Sequence, residues 1–538
     1  MIFRKFITLI LFSFISGVGS AQSFLWVDDP GGIGNDVGAA VASDANGNAY
    51  ITGYYSGQCD FQGTFFFSNN GFEIYLAKYN PAGTLLWVKK AGGLLQDEGI
   101  DVIVGNDGMI YLTGLFRGTA TFDAITLTSN GNADVFLASY DPSGNLRWVK
   151  SFGGNGEDKP AKLCMSNAGE ILVTGTFSDS FVFDGSSHAT LGYNDIFLCG
   201  FNQNGNPLWV KYYGEVNDEY VTGLLSRPAT NDLWMSGYFY YDTQIGGTVL
   251  HSAGSSDIFL ARLDSSGGAE WVIRSGGALA EVSTASCIGK DEETWLTGYF
   301  LGNAQFGSIT LSDTGYNDIF LAKFDAQGQV VSAQKMGGTS LDVGTALAPG
   351  DSGSIYLTGS FSNSAKFGPI VRNAIGKDIF IAFVSDNGAV NWVLQAGGEW
   401  EDFSKGICRT SNQELLLTGY FYKYCWFGSN RAEAENSGIF LSRISTAAVS
   451  REAILPDFPL SVFPQPTQNR LFLRSDKALS SGHFTLFDPT GRRIWREDLA
   501  NGMVNKELDV SHLSPGLYLL NLECDNAEKA SFKILIQR

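Results

Sequence analysis

A Thr-Gly or Ser-Gly step opens an aromatic segment seven times along this chain, with its glycine at Gly53, Gly114, Gly175, Gly237, Gly298, Gly359 and Gly419, at intervals of 60 to 62 residues. Two further marks keep the same period. A phrase of the type Asp-Ile-Phe-Leu-Ala begins at Glu73, Asp134, Asp195, Asp257, Asp318, Asp378 and Gly438. A tryptophan runs ahead of a glycine pair (a single glycine at Gly214) at Trp26, Trp87, Trp148, Trp209, Trp271 and Trp392, with Ser332 in the one missing place. Three marks on one period mean one unit repeated, and a unit of this size cannot bury both of its faces alone.

Each unit reads as four strands. The first is small and apolar (VGAAVAS from Val37) and leads through a turn such as DANG at Asp44 into the aromatic second strand (YITGYY from Tyr50). A longer loop follows, carrying Phe61, Phe122, Phe183, Ile245, Phe306, Phe367 and Phe427. The third strand is the recurring phrase, apolar on both faces as befits a strand between neighbouring sheets. NPAG at Asn80, DPSG at Asp141 and DSSG at Asp264 suit type I turns, and the fourth strand holds the tryptophan. Glycine at 65 residues and aromatics at 13% against 14 prolines agree with many short strands and tight turns.

An open row of such units would leave two apolar faces in water, so the expectation for residues 22–445 is an all-β, seven-bladed β-propeller. The chain order says how it closes. The segment FLWVDDPGG from Phe24 is a fourth strand with no first three before it, and the last unit stops after its third strand at IFLSRIS, residues 439–445. The N-terminal strand is therefore expected to complete the last blade. The run of Trp, glycine pair, an acid five residues on, then GNAYITGYY at Gly47 resembles the bacterial seven-bladed β-propeller (SBBP) repeat family over residues 24–445, a resemblance that implies a fold and very little chemistry.

Residues 1–21 carry Arg4 and Lys5, an apolar run from Phe6 to Ile15 and the small residues Gly19, Ser20 and Ala21, the pattern of a secretory signal cut before Gln22. No later segment is long and apolar enough to predict a transmembrane span, and no cysteine follows the cut to take a lipid. A net charge of -19 from 36 basic and 55 acidic residues argues against nucleic acid and anionic membrane as partners. After a linker at 446–458 the period ends. Residues 459–538 read as the alternating strands of a small immunoglobulin-like β-sandwich. Pro464, Pro466, Asp488, Gly491, Arg492, Leu513, Pro515, Gly516 and Tyr518 resemble the type A C-terminal sorting domain of the Bacteroidetes type IX secretion system, with Gln465 where that family has Asn. The resemblance implies an export address, with the type IX machinery as partner, that is removed at the outer membrane to leave the repeats secreted or on the outer cell surface.

The most suggestive constellation is a set of acids, Asp36, Asp97, Asp158, Glu219, Glu281, Asp342 and Asp402, each five residues after the first glycine position and at the entry to a first strand. Converging at one mouth of an axial channel, they would hold Ca²⁺ or a cationic ligand; turned into their own loops, they would accept backbone N–H groups. Recurrence in every repeat favours the second role. The periodic tryptophans are expected between blades rather than as a carbohydrate platform. Tyrosines at 54–55, 212–213, 238–241 and 420–424 are candidates for surface contact. Of seven cysteines, Cys164, Cys287 and Cys408 are expected as small core residues; Cys59 and Cys425 fall in blades that become neighbours on closure, where a disulfide would need a Cα separation below about 7 Å. Four histidines and no HExxH, GxSxG or CxxC leave catalysis without a motif. The function expected is therefore an exported binding or scaffold module for a protein or glycan ligand. The alternative is a secreted hydrolase or lyase with its site on one face.

Overall fold

The computed structural model describes residues 22–68, 71–446, 460–463, 470–487, 493–500, 503–514, 516–524 and 529–536. The chain is all-β and propeller-like. Its larger compact unit is Gln22–Ala447, in which every repeat forms a four-stranded antiparallel sheet. In the second repeat the strands lie in the order Glu98–Val104, Ile110–Phe116, Asp134–Tyr140, Leu146–Phe152.

The first strands touch one another in cyclic order: Val37–Ser43 meets Glu98–Val104 on one side and Asp402–Arg409 on the other, and the contacts continue through Lys159–Met165, Glu219–Ser226, Glu281–Ile288 and Val343–Pro349. Their small residues follow from crowding. A Cβ on Gly99 would stand 2.2 Å from the Thr52 hydroxyl of the preceding unit. The N-terminal strand Ser23–Asp28 pairs antiparallel with Asn430–Ser445, Ser23 opposite Ser445 and Trp26 opposite Arg443.

The recurring phrases are two halves of one contact. The Thr52 hydroxyl donates to the Tyr75 carbonyl at 2.7 Å, and Thr113 to Phe136 at 2.8 Å. The glycine that follows lies beneath the third-strand ring: a Cβ on Gly114 would meet Phe136 at 2.6 Å. Phe136 and its counterparts are buried on both sides, which is why Asp134–Tyr140 is buried at every position.

Units are stitched at both ends of each fourth strand. The hairpin between second and third strands docks on the glycine step of the preceding unit, as in Thr121 opposite Gly92, Asp60 opposite Gly31 and Gln305 opposite Gly276. A Cβ on Gly93 would fall 1.9 Å from the Thr119 carbonyl oxygen. Gly93→Ala is therefore expected to destabilise the fold by about 2 kcal/mol or more, read as a lowered thermal midpoint in far-UV circular dichroism. The tryptophans lie between units: the Trp87 ring covers Gly144 of the next unit, and its indole N–H donates to Pro142 at 3.2 Å. Trp26 and Trp148 donate likewise to Pro81 and Gln203, at 3.1 and 3.0 Å. Where Ser332 replaces tryptophan, the Gln334 amide donates to the Gly388 carbonyl at 2.8 Å.

The C-terminal unit has a three-stranded sheet (Leu460–Phe463, Arg470–Leu479, Met503–Asp509) and a four-stranded one (Arg493–Leu499, Gly482–Phe487, Gly516–Cys524, Lys529–Ile536), sharing a core that includes Leu471, Leu508, Phe484 and Leu520. Of the tail motif, Leu513 and Tyr518 are buried, and the Tyr518 hydroxyl donates to the Ser514 carbonyl at 2.9 Å. Pro464, Pro466, Asp488, Gly491, Arg492 and Pro515 lie outside the described residues, as do residues 1–21 and all but the first residue of the linker.

Candidate functional site

Each of the seven periodic acids stands at the entry to a first strand and is fully buried. The carboxylates turn into their own connections. Asp36 accepts the Gly32 and Ser56 amides at 2.9 and 3.1 Å, Asp97 those of Gly93 and Arg117 at 2.7 and 2.9 Å, and Asp342 those of Gly338 and Ser362 at 2.7 and 3.1 Å. Asp158 and Glu281 accept Gly154 and Gly277 at 2.6 and 2.7 Å, and Glu219 accepts Glu215 at 3.4 Å. Asp402 faces the Gly398 amide and the Cys425 thiol without a bond of ordinary geometry. Calcium takes six to eight oxygen ligands. Among the described residues, no three His, Cys, Asp or Glu side chains gather into a group that could hold a metal ion.

A second set of acids, the leading residues of the third strands, lies against the first. The position of a Cβ on Gly214 is 2.7 Å from both Asp195 Oδ1 and Glu219 Oε2, and Gly153 and Gly337 are flanked in the same way by Asp134 with Asp158 and by Asp318 with Asp342. Gly438 replaces the acid beside Asp36. Lys90 at 3.4 Å from Glu73, Lys335 at 3.4 Å from Asp318 and Arg274 beside Asp257 compensate three of these pairs. Among the described residues, Asp134 with Asp158 has no cation, and one oxygen of each carboxyl has no hydrogen-bond partner. Burial raises the pKa of every acid in the first set, to about 6 for Asp97, about 7 for Asp36, Glu281 and Asp342, and about 8 for Asp158, Glu219 and Asp402. The third-strand neighbour adds to the rise in Asp97, Asp158, Glu219, Glu281, Asp342 and Asp402.

Cys59, Cys164, Cys199, Cys287, Cys408 and Cys425 are free thiols. Cys59 and Cys425 are fully buried, each near the acid of its own unit, and burial first, then Asp36 or Asp402, pushes their thiols up. Cys164 and Cys408 are half-buried and Cys287 buried.

The space enclosed by the first strands is a narrow channel of about 150 Å³ lined by all seven of them. It widens at the end where those strands begin into a cavity of about 450 Å³ beside the last, first, second and third repeats. None of the seven acids lines it; their neighbours do, because adjacent strand residues face opposite ways. Lys159, Lys162, Lys405, Tyr54, Tyr420 and Tyr422 contribute to its wall, with Glu98 the carboxylate among them. Lys162 lies 4.0 Å from Asp101. Lys405 is open to water yet crowded by protein, so that burial first and the charge of Lys159 second lower its pKa. Its ammonium stands 5.8 Å from the centre of the Tyr420 ring. Tyr54 stacks on Phe72 and Tyr420 on Phe403, with ring centres 4.5 and 4.8 Å apart. Of the tyrosines singled out by sequence, Tyr54, Tyr420 and Tyr422 reach this wall, whereas Tyr55 and Tyr213 are buried in the core. The lysines carry no period and were not legible as a site. The available signal was departure from the repeat: the residue after each acid is Val37, Glu98, Lys159, Tyr220, Val282, Val343 or Phe403.

Residues 461–537 match the secretion system C-terminal sorting domain. That sorting domain engages the type IX secretion system and directs the chain to the cell surface. No helix among the described residues is long and apolar enough to cross a membrane. The chain is also similar to a WD repeat-containing protein, L264, of Acanthamoeba polyphaga mimivirus, at 22% identity over 442 residues, covering 64% of this chain and 32% of that protein. A regulatory protein of Caulobacter vibrioides, FlaEY, is 23% identical over 161 residues, 28% of this chain and 17% of its own length. The chain thus spans less than a third of either relative. Among solved structures, puromycin hydrolase overlaps at a TM-score of 0.38 and 9% identity, covering 82% of this chain and 59% of that one. A gluconolactonase of Xanthomonas campestris overlaps at 0.32 and 10%, covering 63% and 93%. Overlaps this loose carry nothing about activity.

Proposed function

We propose that residues 22–445 form a seven-bladed β-propeller of the SBBP kind, exported behind the signal peptide at 1–21 by a Bacteroidetes cell and presented outside it as a binding module. The immunoglobulin-like domain at 459–538 is the disposable address, joined by the linker at 446–458. The cyclic contacts of the first strands and the pairing of Ser23–Asp28 with Asn430–Ser445 support closure at seven. The observation that carries binding is the channel mouth. There the repeats cease to be equivalent, with Lys159 and Glu98 in places where other repeats have valine. Glu98 is the carboxylate of that wall, and a two-carboxylate hydrolysis needs a facing pair, which favours binding over the hydrolase or lyase reading. The buried acids serve as loop anchors in this reading.

Two measurements test it. Deleting residues 459–538 is expected to abolish display at the cell surface and leave the repeats inside the outer membrane, seen by protease shaving of whole cells and fractionation; undiminished display would refute the address. The mature protein, recovered from the cell surface and applied to glycan and protein arrays with and without Ca²⁺, is expected to bind a restricted ligand set irrespective of Ca²⁺. Turnover of arrayed ligands would favour the enzyme instead.

A further inference from the structure

We propose that the channel mouth binds a carboxylated saccharide, a uronate-type sugar or short oligomer, with its carboxylate held between Lys159 and Lys405. This rests on the binding-module reading and gives it a ligand class. A chain of net charge -19 places Lys159, Lys162 and Lys405 around one cavity. Among the described residues, neither Lys159 nor Lys405 has a carboxylate within ion-pair distance, and both line the same cavity, where burial first and the charge of Lys159 second lower the pKa of Lys405. Two like charges brought together without a counter-charge lower stability, and the remaining repeats show that small or uncharged residues fit the same ring: Ala39, Thr222 and Thr345 also line the channel. An anion seated between the two ammonium groups would relieve that repulsion and gain charge-assisted hydrogen bonds.

The remainder of the wall selects the rest of the ligand. Tyr54, Tyr420 and Tyr422 are flat amphipathic surfaces, and the C–H faces of a pyranose present the positive edge that an aromatic face attracts. Asn35 and Glu98 supply donors and acceptors for hydroxyl groups, and Glu98 disfavours a densely charged polyanion. A volume of about 450 Å³ lies within the usual range of small-molecule sites, roughly 300 to 1,000 Å³. Charge, flat aromatic walls and hydroxyl partners together fit an acidic sugar better than an extended acidic peptide.

The test uses the full mature protein and isothermal titration with trigalacturonate, its fully methyl-esterified counterpart and a penta-glutamate peptide. Trigalacturonate is expected to bind, more weakly as salt rises, and the ester and peptide at least tenfold more weakly or not at all. Lys159→Met with Lys405→Met is expected to weaken trigalacturonate binding by roughly tenfold to a hundredfold. The same double variant should melt at or above the wild-type temperature, because it removes an uncompensated pair of like charges. That combination separates a binding role from a structural one, which would lower stability. Equal binding of the ester, preference for the peptide, or unchanged affinity in the double variant would overturn the inference. If an array ligand binds and the double variant binds it equally well, the binding-module reading survives and only this assignment falls.

Discussion

Removing Ser23–Asp28 is expected to abolish cooperative folding of the repeat unit. That strand hydrogen-bonds along Asn430–Ser445, sets Phe24 edge-on against Phe427 with ring centres 5.4 Å apart, and sends the Trp26 indole to the Pro81 carbonyl of the first repeat. It ties the last repeat to the first. Its loss would bare the third strand of the last repeat, where Leu441 and Ile444 are fully buried, and leave an open sheet edge, a known route to aggregation. Phe24, Trp26 and Val27 are partly buried, so each contributes about 1 to 2 kcal/mol, below the value for a fully buried side chain, and the ladder hydrogen bonds add to this. A total on the order of 5 kcal/mol or more compares with the whole stability of an ordinary domain. The truncated protein should lose its sharp thermal transition and elute as aggregate in size-exclusion chromatography. A synthetic peptide covering residues 22–32 should restore part of the transition by strand addition. A truncated chain that melts at the wild-type temperature would show that closure does not depend on this strand.

The repeat marks were legible because each is a contact made once per unit. Thr-Gly is read from the sequence as a period, and in the structure it is the hydroxyl of Thr113 on the Phe136 carbonyl and the bare Cα of Gly114 beneath the Phe136 ring. Trp87 and Gly144 are likewise two halves of one contact between units. The docking of the Thr119–Phe122 hairpin on Gly92 was less legible, since nothing in a strand pattern says that a hairpin leaves its own sheet for its neighbour's. The acids were found by period, but a period cannot say which way a side chain turns. The lysines were missed for the opposite reason: Lys159 and Lys405 each occur in one repeat, and a search tuned to recurrence passes over what departs from it. The acid pairs needed three dimensions, because Asp134 and Asp158 are brought together by the end of one repeat and the start of the next.

Those pairs make stability depend on pH in an unusual direction. The folded-state pKa values of the first-strand acids, about 6 to 8, lie above the ordinary carboxyl value near 4. Between these limits the native state binds more protons than the unfolded chain, so stability falls as pH rises. The contribution is fully present below about pH 4, where both states are protonated, and is lost as pH climbs through the folded-state values. Each pKa unit is worth about 1.4 kcal/mol for a buried group. Several such groups should lower the melting temperature by on the order of 5 to 10 °C from pH 5 to pH 8. The Asp134 and Asp158 pair isolates the cause, since among the described residues it has no basic partner, and Glu157 adds a further negative charge beside Asp158. Asp158→Asn keeps an oxygen for the Gly154 amide, and its NH₂ can donate to Asp134, as a shared proton would. It should therefore be neutral near pH 5, stabilising near pH 8, and should flatten part of the pH slope. Asp158→Ala instead strands the Gly154 amide at every pH, at a cost of about 1 to 3 kcal/mol. Should the wild type gain stability from pH 5 to pH 8, or Asp158→Asn leave the slope unchanged, the acids would be ionised in the fold, with cations or water meeting their second oxygens.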